Sequence, residues 1–325
     1  MLTFFRTNQQ FLNILLLFYL AIMRASTFMH TSNIVPRGHG ILTHWVYASF
    51  PPLSMSGAIL AFFLIFFQAT AINIMIARFR VATDISLLPG VFYCLFTSLM
   101  PDFLPLSSII LANTFLVLAL YNLFDTYKNN YVAGRIFDAG LWLGLASLFH
   151  FSYIFLVFWG IICLGILRGI RFKEFFMLLI GVIVPIFLMG VYSFRIDQMP
   201  FFTAHFFENI GVMSFVAYKS SMIYIKFGLV MLFLLLTLVA SSQFFSRRNM
   251  TAQKYISMLY WLMLLCIITV FAQKGIDVNQ LLILSIPMSI LLSMTFQRIA
   301  PAMAEALHML LLMVALILQF EYFLV

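Results

Sequence analysis

The sequence predicts an all-α fold, a polytopic transmembrane helical bundle. Three observations predict it. Of the 325 residues, 64% are hydrophobic and 9% charged, whereas soluble domains carry about 25% charged residues. Mean hydropathy is +1.08. Apolar runs long enough for the ~30 Å hydrocarbon core of a bilayer recur along the whole chain. So few charges cannot cover the surface of a water-soluble fold of this size. Residues 1–325 therefore read as one integral membrane domain.

The runs predict about eleven spanning helices, at 10–25, 57–77, 84–100, 106–124, 136–150, 151–167, 174–195, 223–244, 255–272, 278–296 and 303–323. Phe11 to Met23 reads as a retained first helix, because one Arg precedes it and no small-residue cleavage site follows. The run 10–25 is short and calls for a locally thinned bilayer. The turn at Phe149-His150-Phe151 has almost no polar residues. The runs on either side of it form two crossings or one re-entrant hairpin.

Orientation follows from Lys and Arg. With the N-terminus inside, twelve of the 18 Lys and Arg fall on the cytoplasmic side, and every cytoplasmic loop is basic. That predicts N-in and C-out. Two loops are long, 24–56 and 196–222, and both fall outside. Their aromatics, His and Pro suit short helices lying at the membrane surface. A protein acting on something carried by a lipid would put its site there.

The net charge is +8, but the basic residues sit singly or in pairs between apolar runs, so nucleic acid is not the expected partner. Cys94, Cys163 and Cys266 lie inside apolar runs without CxxC spacing, which predicts packing thiols rather than disulfides or a zinc site. No GxSxG, HExxH, Walker A or GxGxxG motif occurs in a suitable context.

Acidic residues are few, and each needs a reason near hydrocarbon. Asp125 and Glu174 are expected to pair with basic neighbours at the cytoplasmic face. Asp84, or Thr83 before it, is placed to cap a helix. Asp138 lies one turn from Arg135, which predicts an intrahelical pair. Lys274 and Asp277 close the last outer loop as a pair.

Asp102 lies in Met100-Pro101-Asp102-Phe103-Leu104-Pro105, a short outer loop fixed by two prolines. It reads as a turn or N-cap residue, or as a base or a cation ligand at the outer face. In the first long loop, Arg37 sits between Pro36 and Gly38, where a guanidinium can hold a phosphate and glycine lets the backbone approach. The same stretch also reads as a flexible turn. His30, His39 and His44 lie nearby with spacings that fit no helical ligand pair, so interfacial histidines are expected rather than a metal site. In the second loop His205 and Glu208 are three apart and share a face if the stretch is helical, as an acid/base pair or metal ligands, or, with no third ligand, as a surface hydrogen bond. Arg37, His39, His44, His205 and Glu208 are the candidate substrate-binding residues. No cofactor or metal is expected.

The run from about 85 to 190 includes LLPGVFYCLFTSLMPDFLPLSSIILANTFLVLALYNLF, GLWLGLASLFHFS and GVIVPIFL. It resembles the middle of the C-type (GT-C) integral membrane glycosyltransferases, such as the polyprenyl-phosphate-sugar mannosyl- and arabinosyltransferases. Gly140, Gly144, Ser152, Arg168, Arg171, Gly181 and Pro185 carry the pattern. Val278-Asn279-Gln280 and Pro287 resemble the family's late helix. The resemblance implies transfer of sugar from a polyprenyl-phosphate donor at the outer face. Active members deprotonate the acceptor with an acid in the first outer loop. This chain has no Asp or Glu between Arg24 and Ser56. Asp102 then serves as the base, or the protein is not a transferase. The whole chain also resembles a family of Bacteroidota membrane proteins with no assigned activity, which begin with a similar FFRxNQ segment. That implies a bacterial inner membrane.

Three functions remain in play: a lipid-linked sugar transferase, a non-catalytic scaffold or partner subunit of an envelope-assembly or polysaccharide-export system, and a transporter. A transporter is third, because ion-coupled carriers place ionisable groups in mid-helix. Here Gln68, Asn73 and Asn113 are the main polar groups inside the spans.

Overall fold

The structure, a computed structural model, describes residues 5–6, 13–29, 40–82, 84–129, 131–169, 171–207, 221–239, 250–271 and 277–319. Their helices are α1 (Asn13–Met23), α2 (Ala25–Met29), α3 (Ile41–Ser49), α4 (Met55–Arg78), α5 (Leu88–Thr97), α6 (Ser108–Asp125) and α7 (Ala133–Phe149). There follow α8 (Leu156–Arg168), α9 (Phe172–Arg195), α10 (Met199–Phe207), α11 (Ser221–Val239), α12 (Met250–Phe271), α13 (Ser285–Arg298) and α14 (Pro301–Gln319). Among the described residues, the 3-10 turns Pro101–Phe103, Phe151–Phe155 and Val278–Leu284 lead toward α6, α8 and α13. No strand occurs among the described residues.

Seven of these segments are long and apolar enough to cross a bilayer: α4, α6, Phe151–Arg168, α9, α12, Val278–Arg298 and α14. The apolar stretches of α1, α5 and α11 are shorter. Each expected span holds a helix, and α2, α3 and α10 are short helices within the two long loops, as the loop composition predicts. The boundaries differ most at 84–100, where the helix covers only Leu88–Thr97.

Local chemistry explains the boundaries. Ser54 accepts the Gly57 N–H and Ser107 the Ile110 N–H, so a serine caps the start of both α4 and α6. Asp84 does not cap α5, and Thr83 lies outside the described residues. Leu87 is the N-cap of α5, and Pro89 sits in its first turn where no donor is needed. Gly169 ends α8 at φ +79, a left-handed conformation that favours glycine. His150 is extended between α7 and the following 3-10 turn, so the chain breaks there and reverses.

The most extensive helix contact is α7 against α9. It rests on small residues. A Cβ on Gly140 would strike the Leu178 carbonyl, one on Gly144 the Val182 carbonyl, and one on Gly181 the Phe137 carbonyl. Gly140 and Gly144 stand four apart, the spacing that lets two membrane helices bring their backbones together. Pro185 packs its ring beside Gly144. These motif residues are thus accounted for by packing.

Burial separates centre from periphery. The hydrophobic window of Val278–Arg298 is 89% buried, whereas those of α9 and α14 are 28% and 22% buried. The outer faces of α9 and α14 carry Phe176, Ile183, Phe187, Leu310 and Met313 exposed, which is a lipid-facing surface. Inside, Tyr153 donates to Asn113 Oδ1 at 2.6 Å, and Asn113 donates to the Leu282 carbonyl and Ser285. Gln68 accepts from Tyr93 and donates to Thr114 and the Ile110 carbonyl. Asn73 accepts the Gly90 N–H. Hydrogen bonding between helices thus engages all three polar mid-span groups. Cys94, Cys163 and Cys266 are buried and free.

Among the described residues, the loop contacts fall in two groups, one at either end of α6. At one end Asp125 pairs with Arg135 at 3.1 Å and Arg78 at 3.5 Å. There Glu174 pairs with Arg168 at 3.0 Å, and Arg168 also holds the Thr126 and Asn129 carbonyls. Arg6 reaches the Phe296 carbonyl, and Gln297 reaches Ser86. The expected pairing of Asp125 and Glu174 is present. Arg135, however, turns to Asp125 rather than to Asp138 on its own helix, because the α6 carboxylate comes within reach across the turn.

Candidate functional site

The other end is organised by a buried guanidinium. Arg24 follows α1 directly and is 1% exposed. Nη1 donates to the Leu104 carbonyl at 2.9 Å, and Nη2 to the Phe103 carbonyl at 2.9 Å and the Thr97 carbonyl at 3.2 Å. Those carbonyls flank Asp102 in sequence. A planar fork reaches three acceptors where a single ammonium would not. Tyr47 of α3 donates to the Leu106 carbonyl, and Gln319 of α14 holds the Ser98 carbonyl. The short loop is therefore pinned from three helices.

Within that frame the carboxylate of Asp102 turns to α11. Lys226 Nζ donates to Asp102 Oδ2 at 2.6 Å, with the side chains 10% and 13% exposed. Lys226 is the one charged residue in the α11 sequence. The 3-10 turn Val278–Leu284 packs against both the Pro101–Phe103 turn and α11. It carries Asn279, which is 2% exposed. Neither amide atom of Asn279 has a protein partner, and neither do Arg24 Nε, Thr27 Oγ1 and Ser98 Oγ around the same loop. Buried polar groups are nearly always bonded to protein, water or ligand. This corner therefore combines an ion pair with several unused polar atoms.

The other candidates lie apart from it. His44 sits edge-on to Phe201 of α10 at 5.9 Å. His205 is buried, and its Nε2 donates to the Ser147 carbonyl at 2.9 Å. Burial lowers its pKa from the ordinary value of 6.5. Thr43 donates to the Phe149 carbonyl, which ties α3 to the same end of α7. Thr43 and His205 thus dock α3 and α10 on α7, while His44 packs α3 against α10. Arg37, His39 and Glu208, with Lys219 and Lys274, lie outside the described residues. Asp277, expected to pair with Lys274, caps the Val278–Leu284 turn by accepting the Asn279 N–H. Between α9 and α10 runs a wholly apolar groove of about 540 Å³, lined by residues such as Ile183, Phe187, Gly190 and Phe202.

Three residues of this corner escaped the sequence reading: Arg24, Lys226 and Asn279. The signal for two of them was present. Arg24 ends an apolar run and Lys226 interrupts one, and a charge in hydrocarbon needs a partner or a task. Asn279 has no comparable signal. Among the described residues, no group of three His, Cys, Asp or Glu could hold a metal ion.

No family model matches the chain. No curated protein matches it. No solved structure matches it.

Proposed function

We propose that this is an eleven-pass protein of a bacterial inner membrane, with its N-terminus in the cytoplasm, that transfers a sugar from a polyprenyl-phosphate donor at the outer face. In this reading α2, α3 and α10 lie along the outer interface. The clustering of loops supports the topology. Among the described residues, contacts of the loops expected outside gather toward the Asp102 end and contacts of those expected inside toward the Asp125 end, which supports crossings that alternate in direction.

The observation that carries the function is the buried pair of Asp102 and Lys226 among outer loops. A carboxylate and an ammonium in that position match the needs of the chemistry. Asp102 takes the proton of the acceptor hydroxyl as the hydroxyl oxygen attacks the anomeric carbon. The bond from that carbon to the phosphate oxygen breaks, and the lipid phosphate leaves as an anion beside Lys226. The test is a transfer assay in proteoliposomes with a panel of polyprenyl-phosphate sugars. Wild type forms product, and Asp102→Asn loses it while remaining folded. An Asp102→Asn protein as active as wild type removes Asp102 from the role.

A second reading is a non-catalytic scaffold or partner subunit. It is favoured by the lack of any acid between Arg24 and Ser56. Recovery of the protein from its native membrane at fixed stoichiometry with another membrane protein, together with no transfer of any sugar, would decide for it.

A further inference from the structure

Asp102 and Lys226 neutralise each other at 2.6 Å, and both side chains are largely withdrawn from solvent. A pair held this closely satisfies its own charges, but it also masks each member's chemistry. The neighbouring turn adds Asn279, 98% buried by its 2% exposure, whose amide has both a donor and an acceptor without a protein partner. An amide in that state is complementary to an oxygen-rich group that presents acceptors and hydroxyls together. The two features lie on elements that pack on one another, the Pro101–Phe103 turn, α11 and the Val278–Leu284 turn.

We infer that Lys226 and Asn279 form the binding site for the phosphate of a lipid, whether joined to a sugar or released as the monoester, and that the phosphate displaces Asp102 from Lys226 when it binds. This rests on the reading above that the protein handles a lipid phosphate, and it assigns the contact to α11 rather than to the first outer loop. The ion pair is the resting state. A lipid phosphate offers more oxygens than a carboxylate, and as the monoester it also carries more charge, so it competes for the ammonium. Its remaining oxygens accept from the Asn279 amide. Asp102, released, is the group left able to take a proton. Binding and the unmasking of the base are then one event, and the base is exposed only when donor is present.

The experiment measures binding and not turnover. Full-length protein in nanodiscs is titrated with farnesyl phosphate, farnesol and inorganic phosphate, each alone. Wild type is expected to bind farnesyl phosphate and to bind the alcohol and inorganic phosphate at least about tenfold more weakly. Lys226→Met weakens farnesyl phosphate binding by about tenfold or more, and Lys226→Arg retains most of it. Asp102→Asn gives the diagnostic result. It removes the competitor for Lys226, so it tightens binding severalfold. A pair with a purely structural role would predict looser binding in that variant. Because a lone buried charge can unfold a protein, Asp102→Asn/Lys226→Met serves as the control for folding. It keeps the corner neutral and should bind as weakly as Lys226→Met.

Equal affinity of wild type and the double variant for farnesyl phosphate overturns the site. Equal affinity for inorganic phosphate and farnesyl phosphate overturns the lipid source. The expected binding pattern without any sugar transfer keeps the site and defeats the transferase reading instead.

Discussion

Lys226 Nζ stands 2.6 Å from Asp102 Oδ2, although the two residues are 124 apart in sequence. This contact ties the single charge of α11 to a loop that Arg24 already holds by three carbonyls. At the opposite end Arg78 is 54% and Arg135 44% exposed beside Asp125, and such pairs contribute little. The Arg168–Glu174 pair there is as withdrawn as Asp102–Lys226, at 12% and 9% exposed. What sets the Asp102 end apart is the guanidinium of Arg24, 1% exposed and held by carbonyls alone among its hydrogen-bond acceptors.

Removing one partner of that pair leaves a buried charge unbalanced. Asp102→Asn and Lys226→Met are each expected to lower unfolding stability by about 3 kcal/mol, and the double variant to recover most of the loss. Thermal unfolding of the four proteins in one detergent measures the cycle. Additive losses would mean that the two side chains do not interact.

The α7–α9 crossing predicts a sharp contrast among glycines. Gly140→Ala and Gly181→Ala should each cost about 1–3 kcal/mol, because the added methyl meets a backbone carbonyl rather than a side chain that can move. Gly165→Ala and Gly228→Ala meet nothing within 4 Å and should leave the melting temperature nearly unchanged. Similar losses at all four positions would argue against this close approach.

Docking of α10 should depend on pH through His205. Burial disfavours the charged ring, so the docked pKa lies below 6.5 while the undocked ring keeps about that value. Between the two values the undocked state binds the extra proton. The stabilisation is therefore complete above pH 6.5 and is lost as pH falls through the docked value. Hydrogen exchange across 199–207, corrected for the intrinsic rate, should rise as pH drops. It should not do so in His205→Gln, which keeps a donor for the Ser147 carbonyl without titrating.

Topology is open to direct labelling, because the three native cysteines are buried and should not react. Tyr131→Cys, at a position 93% exposed between α6 and α7, should react with an impermeant maleimide only from the cytoplasm. Gln198→Cys, at an exposed position between α9 and α10, should react only from outside. Reaction of both from the same side would refute the alternation of crossings.

Much of the fold was legible because hydrocarbon imposes long apolar runs, and a helix answers each of them. The composition of the two long loops likewise announced α2, α3 and α10. Pairing across sequence was not legible. Asp102 read as a turn residue because its partner lies on a distant helix, and Asp138 read as the partner of Arg135 because local spacing cannot reveal that Asp125 lies closer in space. Asp84 looked like a cap because serine- and aspartate-rich starts favour caps, yet α5 begins four residues later under Pro89. The site was half visible. Asp102 stood out as a rare carboxylate, while Lys226 was counted only as a topology signal and Asn279 only as part of a motif.

The most direct measurement is a structure determined by electron cryomicroscopy in nanodiscs with farnesyl phosphate bound. The account predicts phosphate density within hydrogen-bond distance of Lys226 Nζ and the Asn279 amide, with Asp102 moved away from its 2.6 Å contact. An intact Asp102–Lys226 pair, with the phosphate elsewhere or no phosphate in the bundle at all, would contradict it.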